Sequence, residues 1–226
     1  MLAVIKKEFK TYFYSPIGYV FIGLFLIMFS IFFYIDVFNY SSIKFEYIFY
    51  SGATILTFII PILTMRTIAE ERKTGTEQLI LTSPISITKV VLGKFIAATL
   101  VVVLTLLCTF MYFAILSFFG TPHITTALVT MFGFLLLAMS YIAFGILASS
   151  ITENQIVAGV ITLGFFILTW FLPQFDPAFS SISLINLFAK FPGGQIDIAD
   201  TVTFIAFTVG CLLLTVIFMQ RRKSVR

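Results

Sequence analysis

The sequence predicts an all-α, polytopic membrane protein with six transmembrane helices, and three observations carry that prediction. Of the 226 residues, 60% are hydrophobic and only 11% are charged, whereas a soluble domain carries about 25% charged residues. Mean hydropathy is +1.09, and in water such a chain would leave large apolar patches exposed. Six stretches, 17–35, 48–65, 90–119, 126–148, 155–172 and 201–219, approach the ~20 apolar residues that a helix needs to cross the hydrocarbon core. No composition shift divides the chain, so 1–226 reads as a single membrane domain.

Basic residues set the orientation of such a bundle. With the N-terminus inside, the inner segments hold Lys6, Lys7, Lys10, Arg66, Arg72, Lys73, Lys89, Lys94, Arg221, Arg222, Lys223 and Arg226. That is twelve of the fourteen basic residues, leaving Lys44 and Lys190 outside. An even number of spans then predicts both termini in the cytoplasm, with the cell membrane as the chain's location. A positive charge spread in this way is a topology signal and not a patch, so the lipid bilayer, and no nucleic acid, is the expected environment.

Among the spans, the first is too long for a signal-peptide core and no small-residue cleavage site follows it, so it reads as an uncleaved span. The third carries Lys94 near its start, where a long side chain snorkels to the headgroups. No charge sits at the midplane of any span. Intramembrane charges mark ion and proton pathways, so a channel or proton-coupled carrier is disfavoured, and the chain has no energy source of its own. It also lacks the G-x-x-x-x-G-K-[ST] phosphate loop and the hydrolase signatures G-x-S-x-G and H-E-x-x-H. It is expected not to be an enzyme and to hold no cofactor. His123 stands without a second ligand, and Cys108 and Cys211 lie in apolar runs as small hydrophobes, so no metal site is expected. Neither charge nor composition selects which of the 29 phenylalanines face lipid and which pack inside.

Between the spans, Leu2, Ile5, Phe9 and Tyr12 recur at helical spacing with Lys6, Lys7 and Lys10 opposite. This pattern fits an N-terminal interfacial helix, the plainer alternative being a basic flank that only fixes orientation. Ser15-Pro16 offers an N-cap and a first-turn proline to the first span. Thr152 is the expected N-cap of the fifth span, and Gly145 and Ser149 form one small-xxx-small pair. The outer segment 173–200 is apolar for a solvated loop. Asp176-Pro177 reads as the start of a short helix, Pro192-Gly193-Gly194 as a turn and Asp200 as the cap of the sixth span. This segment is expected to dip back into the outer leaflet or to pack over the span tops, as a gate or as a plug.

The stretch 69–89, AEERKTGTEQLILTSPISITK, concentrates six of the chain's charges between two apolar spans. Residues 67–73 continue the second helix, Gly75 stops it in a left-handed conformation, 76–82 form a short segment with Leu79, Ile80 and Leu81, and Ser83-Pro84 breaks the chain before Ser86 caps the third span. Exposed apolar residues on so short an element fit either a partner groove or a headgroup-facing loop.

The run EERKTGTEQLILTSPISITKVVLGKF resembles the coupling-helix region of type-two ABC-transporter permeases. KKEFKTYFYSP, SSITENQIVA and GGQIDIAD agree with the same family, and the small permeases of the gliding-motility and nitrous-oxide-reductase-maturation kind look most similar. The resemblance covers nearly the whole chain. It implies a permease subunit, an exporter in direction, that works beside a second permease copy or a close relative. Separate cytoplasmic ATPase subunits would bind the ATP and dock on Glu70, Glu71, Arg72, Gly75, Thr76, Glu77, Leu79, Leu81 and Pro84. A membrane anchor or assembly component of an extracellular machine, and a six-span substrate-binding subunit of a vitamin importer, are the competing readings. The transported substrate is not encoded in any motif.

Overall fold

The computed structural model describes residues 1–39, 45–82, 85–120, 122–176, 180 and 182–225. Ten α-helices and no strands occur among them, and six of the helices are long and apolar enough to cross a bilayer. The six are α2 (Ile17–Tyr34), α3 (Phe45–Thr64), α6 (Ile87–Phe119), α7 (Ile124–Ile151), α8 (Gln155–Phe175) and α10 (Ile198–Val225). The short helices are α1 (Leu2–Tyr14), α4 (Ala69–Lys73), α5 (Glu77–Thr82) and α9 (Leu184–Phe188).

Helix α7 is the central post. Within its most apolar window 72% of residues are buried, against 22% for α2 and 28% for α8, so those two helices form the rim. In lipid, helices gain little from hiding apolar surface from one another. Close packing and interhelical hydrogen bonds hold them instead. Both devices are present. Ser140 of α7 meets Thr208 of α10 at 3.1 Å and donates to the Phe204 carbonyl at 3.2 Å. Ser30 of α2 meets the Tyr112 hydroxyl of α6 at 2.5 Å.

The structure sorts the phenylalanines. Phe21, Phe25, Phe29 and Phe33 recur every fourth residue and are all buried, while Tyr19, Leu24, Ile27 and Ile31 on the other face of α2 are exposed. The buried stripe runs into an aromatic cluster. Phe29 meets Phe49 at 5.2 Å, Phe49 meets Phe134 at 5.2 Å, and Phe134 meets Phe188 at 5.9 Å. These edge-on spacings are the favoured ones for aromatic pairs.

The segment 184–194 packs against α3, α7, α8 and α10. Leu184, Ile185, Leu187, Phe188, Phe191 and Pro192 are buried, whereas Phe175 and Ile182 are exposed. A Cβ on Gly133 would lie 2.3 Å from the Phe191 ring, so the glycine is the socket for that ring. Gly194 closes the turn at φ 75, which a side chain would disfavour. Lys190 reaches Asp200 at 2.7 Å and Asp197 at 3.4 Å. Its ammonium is held above its ordinary pKa chiefly by the Asp200 hydrogen bond. The Pro177 and Phe179 positions fall outside the described residues, as does Lys44.

Several predicted caps sit a residue or two from the real ones. Asn154, not Thr152, caps α8 by accepting from the Ile156 N–H at 2.9 Å. Thr152 instead accepts from Asn154 N–H. Asp197, not Asp200, receives the Ala199 N–H at the start of α10. Ser15 does not cap α2; its hydroxyl donates back to the Tyr12 carbonyl. Ser86 occupies the N-cap of α6 without a side-chain bond.

Candidate functional site

The charged stretch lies at the end of the bundle that also carries α1 and the end of α10, as the Lys94–Glu8 and Arg222–Glu77 contacts show. Its geometry starts inside α3. Helix α3 ends at Thr64, and residues 65–68 form a turn instead of continuing the helix as the sequence predicted. A break of this kind strands backbone donors that must find other acceptors. One hydroxyl supplies them. Ser149 Oγ on α7 accepts from the Ile68 and Ala69 N–H groups, each at 3.0 Å, and donates to the Met65 carbonyl at 3.1 Å. One helical turn earlier, Gly145 makes room for Thr64: a Cβ there would lie 2.1 Å from Thr64 Oγ1. The small-xxx-small pair of α7 is therefore the seat of the α3–α4 break.

Helix α4 presents three carboxylate and guanidinium groups in different directions. Glu70 takes a two-pronged bond from Arg66, with Nε at 2.8 Å and Nη2 at 2.7 Å, the strong geometry for this pair. Glu71 turns inward and accepts from Lys94 Nζ at 2.7 Å, and Lys94 also lies 3.2 Å from Glu8 of α1. Only 1% of the Lys94 side chain is exposed. The expectation that Lys94 snorkels to the headgroups is corrected here. Two acids reach it inside the protein, and a buried ammonium needs such partners. Gly93, beside it, lets α1 close in, since a Cβ there would lie 2.7 Å from the Val4 side chain. Arg72 points the other way, to Glu153 at 2.9 Å and the Ile151 carbonyl at 3.1 Å in the α7–α8 turn.

Gly75 then reverses the chain at φ 75, where open space surrounds it; the requirement is one of backbone conformation and not of room. The Thr74 hydroxyl donates to the Glu70 carbonyl at 2.9 Å and the Thr76 hydroxyl to the Glu71 carbonyl at 3.2 Å, knitting the turn. In α5, Glu77 is buried with 4% exposure. It meets Arg222 of α10 at 3.4 Å, and Arg222 also donates to the Ser150 carbonyl. Leu79 is 72% exposed.

The sequence-selected residues thus divide. Gly75, Thr76 and Leu79 are on the surface, Glu70 and Arg72 are half-buried in ion pairs, and Glu71 and Glu77 face inward to brace the element. Pro84 and the Leu81 side chain lie outside the described residues. The bracing residues Glu8, Lys94, Ser149 and Arg222 were not selected from the sequence. Glu8 left one signal, as the single acid in the otherwise basic KKEFK run. Arg222 was read only as part of a basic tail. Together the ties join α4 and α5 to α1, α6, the α7–α8 turn and α10.

Among the described residues no cluster of three or more His, Cys, Asp or Glu side chains could hold a metal ion. A family model described as ABC-2 family transporter protein matches residues 2–215. No curated protein matches the chain.

Proposed function

The chain belongs to the ABC-2 transporter family and is a membrane permease component of an ABC transporter; from that premise we propose that α4–Gly75–α5 is the surface on which a cytoplasmic ATPase subunit docks. The observation that supports the reading most is the contrast within this one loop. Residues 73–76 and Leu79 are exposed, while Glu71, Arg72 and Glu77 tie the same loop to the rest of the bundle. A docking element needs a free outer face for its partner and a fixed inner face to pass force onward. In this reading the ATPase binds ATP, and closure of two ATPase subunits is transmitted through α4 to α3, α6, α7 and α10. The termini lie in the cytoplasm of a cell membrane, a second permease copy or a close relative completes the pathway, and transport runs outward. The exposed Leu79 of α5 also weighs against the vitamin-importer alternative, which needs no such helix in its first inner loop.

The test uses the full chain in proteoliposomes with a cytoplasmic ABC ATPase subunit that co-purifies with it. Leu79→Arg should insert normally and lose most of its stimulation of ATP hydrolysis, because a charge would enter an apolar contact. Normal stimulation by Leu79→Arg, with intact membrane insertion, would remove the docking assignment.

A further inference from the structure

Behind the docking loop lies a cavity of about 710 Å³ between α1 and the α3–α4 junction, within the size range of ligand sites. Its walls are mixed: Ile17 and Leu63 of the first two spans and Leu79 of the loop are apolar, and Thr11, Thr74 and Thr76 bring hydroxyls. A cavity lined both by membrane-spanning helices and by polar residues of an exposed loop suits an amphiphile.

The charges in the wall narrow the choice. Lys7, Arg66 and Lys94 are balanced by Glu8, Glu70 and Glu71. A ligand without net charge leaves that balance intact, whereas an anionic one adds an uncompensated charge to a half-enclosed space. Two of the cations have donors to offer. Lys7 is 65% exposed and reaches acids only at 3.3 and 4.0 Å. Arg66 places Nε and Nη2 on Glu70, and its Nη1 donates to nothing among the described residues. Both suit a phosphate group. Glu70, 40% exposed, offers carboxylate lone pairs to an ammonium. The Tyr12 hydroxyl, pushed up to about 12 chiefly by burial, stays protonated in the wall.

We propose that this cavity binds one phospholipid carrying a phosphate and a primary ammonium, a phosphoethanolamine headgroup, with its acyl chains leaving past Ile17 and Leu63. Phosphate lies between Lys7 and Arg66, and the ammonium faces Glu70. A choline headgroup has no N–H to donate to a carboxylate and fits less well. The cavity shares Glu70, Thr74 and Thr76 with the loop of the ATPase-docking reading, whereas Lys7 and Thr11 lie on α1 outside that loop, so variants at these two positions test the lipid site apart from docking.

The experiment is native mass spectrometry of the full chain after reconstitution into vesicles of equal parts phosphatidylethanolamine, phosphatidylglycerol and phosphatidylcholine, then extraction in mild detergent. One phosphatidylethanolamine per chain should persist after the other lipids are stripped. Lys7→Glu removes a phosphate donor, and Thr11→Trp fills the cavity from an exposed position; each should lower retention by about tenfold, the scale of one charge-assisted bond. Unchanged retention in both variants, or equal retention of phosphatidylglycerol, overturns the proposal. Displacement by soluble glycerophosphoethanolamine at matching concentration overturns a membrane lipid as the source. Displacement by the partner ATPase alone would reassign the cavity to that protein.

Discussion

The two ends of the bundle are closed by different physics. At the end bearing α9, Phe188, Phe191 and Pro192 are buried among α3, α7 and α10, and a glycine socket fixes the ring of Phe191. At the other end a buried lysine, four acids, one serine and two arginines hold α4 and α5. Packed rings lose contact energy over fractions of an ångström in every direction. Hydrogen-bonded ion pairs can exchange partners, because each group has spare donors or lone pairs. The difference teaches where motion belongs. The end bearing α9 is packed in place, and the end bearing α4 and α5 is tied by contacts that can be remade.

The largest expected effect tests the packed end. Phe191→Ala empties a socket whose walls are the Gly133 backbone and the rings of Phe188 and Phe204. It should cost roughly 3–5 kcal/mol, measured as a drop in thermal stability in detergent that does not change with salt. A loss well below about 1 kcal/mol would mean that the outer segment is a loose gate, and the contrast between the ends would disappear.

Next comes the buried lysine. Lys94→Met leaves Glu71 and Glu8 without their shared cation. Removing one partner of a buried pair costs roughly 3–5 kcal/mol. Here Glu8 and Glu71 keep 12% and 16% exposure and Lys7 already lies 4.0 Å from Glu71, so about 2–3 kcal/mol is expected once this partial solvation is allowed for. The triple replacement Lys94→Met, Glu71→Gln, Glu8→Gln should recover most of that loss, since no bare charge remains. Failure of the triple variant to recover would show that Lys94 acts through packing and not through charge.

Ser149→Ala probes the hinge between the two regimes. It strands the Ile68 and Ala69 N–H groups, which donate to no other acceptor among the described residues. The expected cost is about 1–2 kcal/mol. Its location matters more than its size: hydrogen exchange should accelerate at residues 65–69 and stay unchanged in α9. Exchange that rises equally at both ends would mean that Ser149 supports the whole bundle.

Much of this was legible in the sequence, for reasons that particular residues make plain. The six spans and Gly75 follow from periodicities and backbone preferences that are local. The aromatic cluster did not, because Phe25, Phe29 and Phe33 look like Phe110 and Phe118 until the bundle decides which face turns inward. Lys94 was misread because its partners arrive on α1 and α4, and a lysine near a helix start looks the same whether it meets lipid headgroups or acids. Cap assignments slipped because Asn154 and Asp197 each compete with a neighbouring capper, and the turn geometry that selects between them is tertiary. Ser149 was visible as half of a small-residue pair, yet its three backbone partners come from the turn between α3 and α4 and the first residue of α4.

The smallest expected effect decides how the tied end is built. Arg72 and Glu153 meet at 2.9 Å, but Glu153 is 63% exposed, so the pair is largely in solvent. A double-mutant cycle with Arg72→Ala and Glu153→Ala separates their coupling from the bond that Arg72 also gives to Ile151. Coupling of about 0.2–1 kcal/mol is expected at low salt, falling toward zero near 1 M salt, where the Debye length is about 3 Å. Loss of Lys94 should show no such salt dependence, because its charge is enclosed. If the Arg72–Glu153 coupling instead exceeds about 2 kcal/mol, or ignores salt, the outer tie is as rigid as the inner one. The α4–α5 loop would then be clamped on both sides, and its freedom to move would have to come from Gly75 alone.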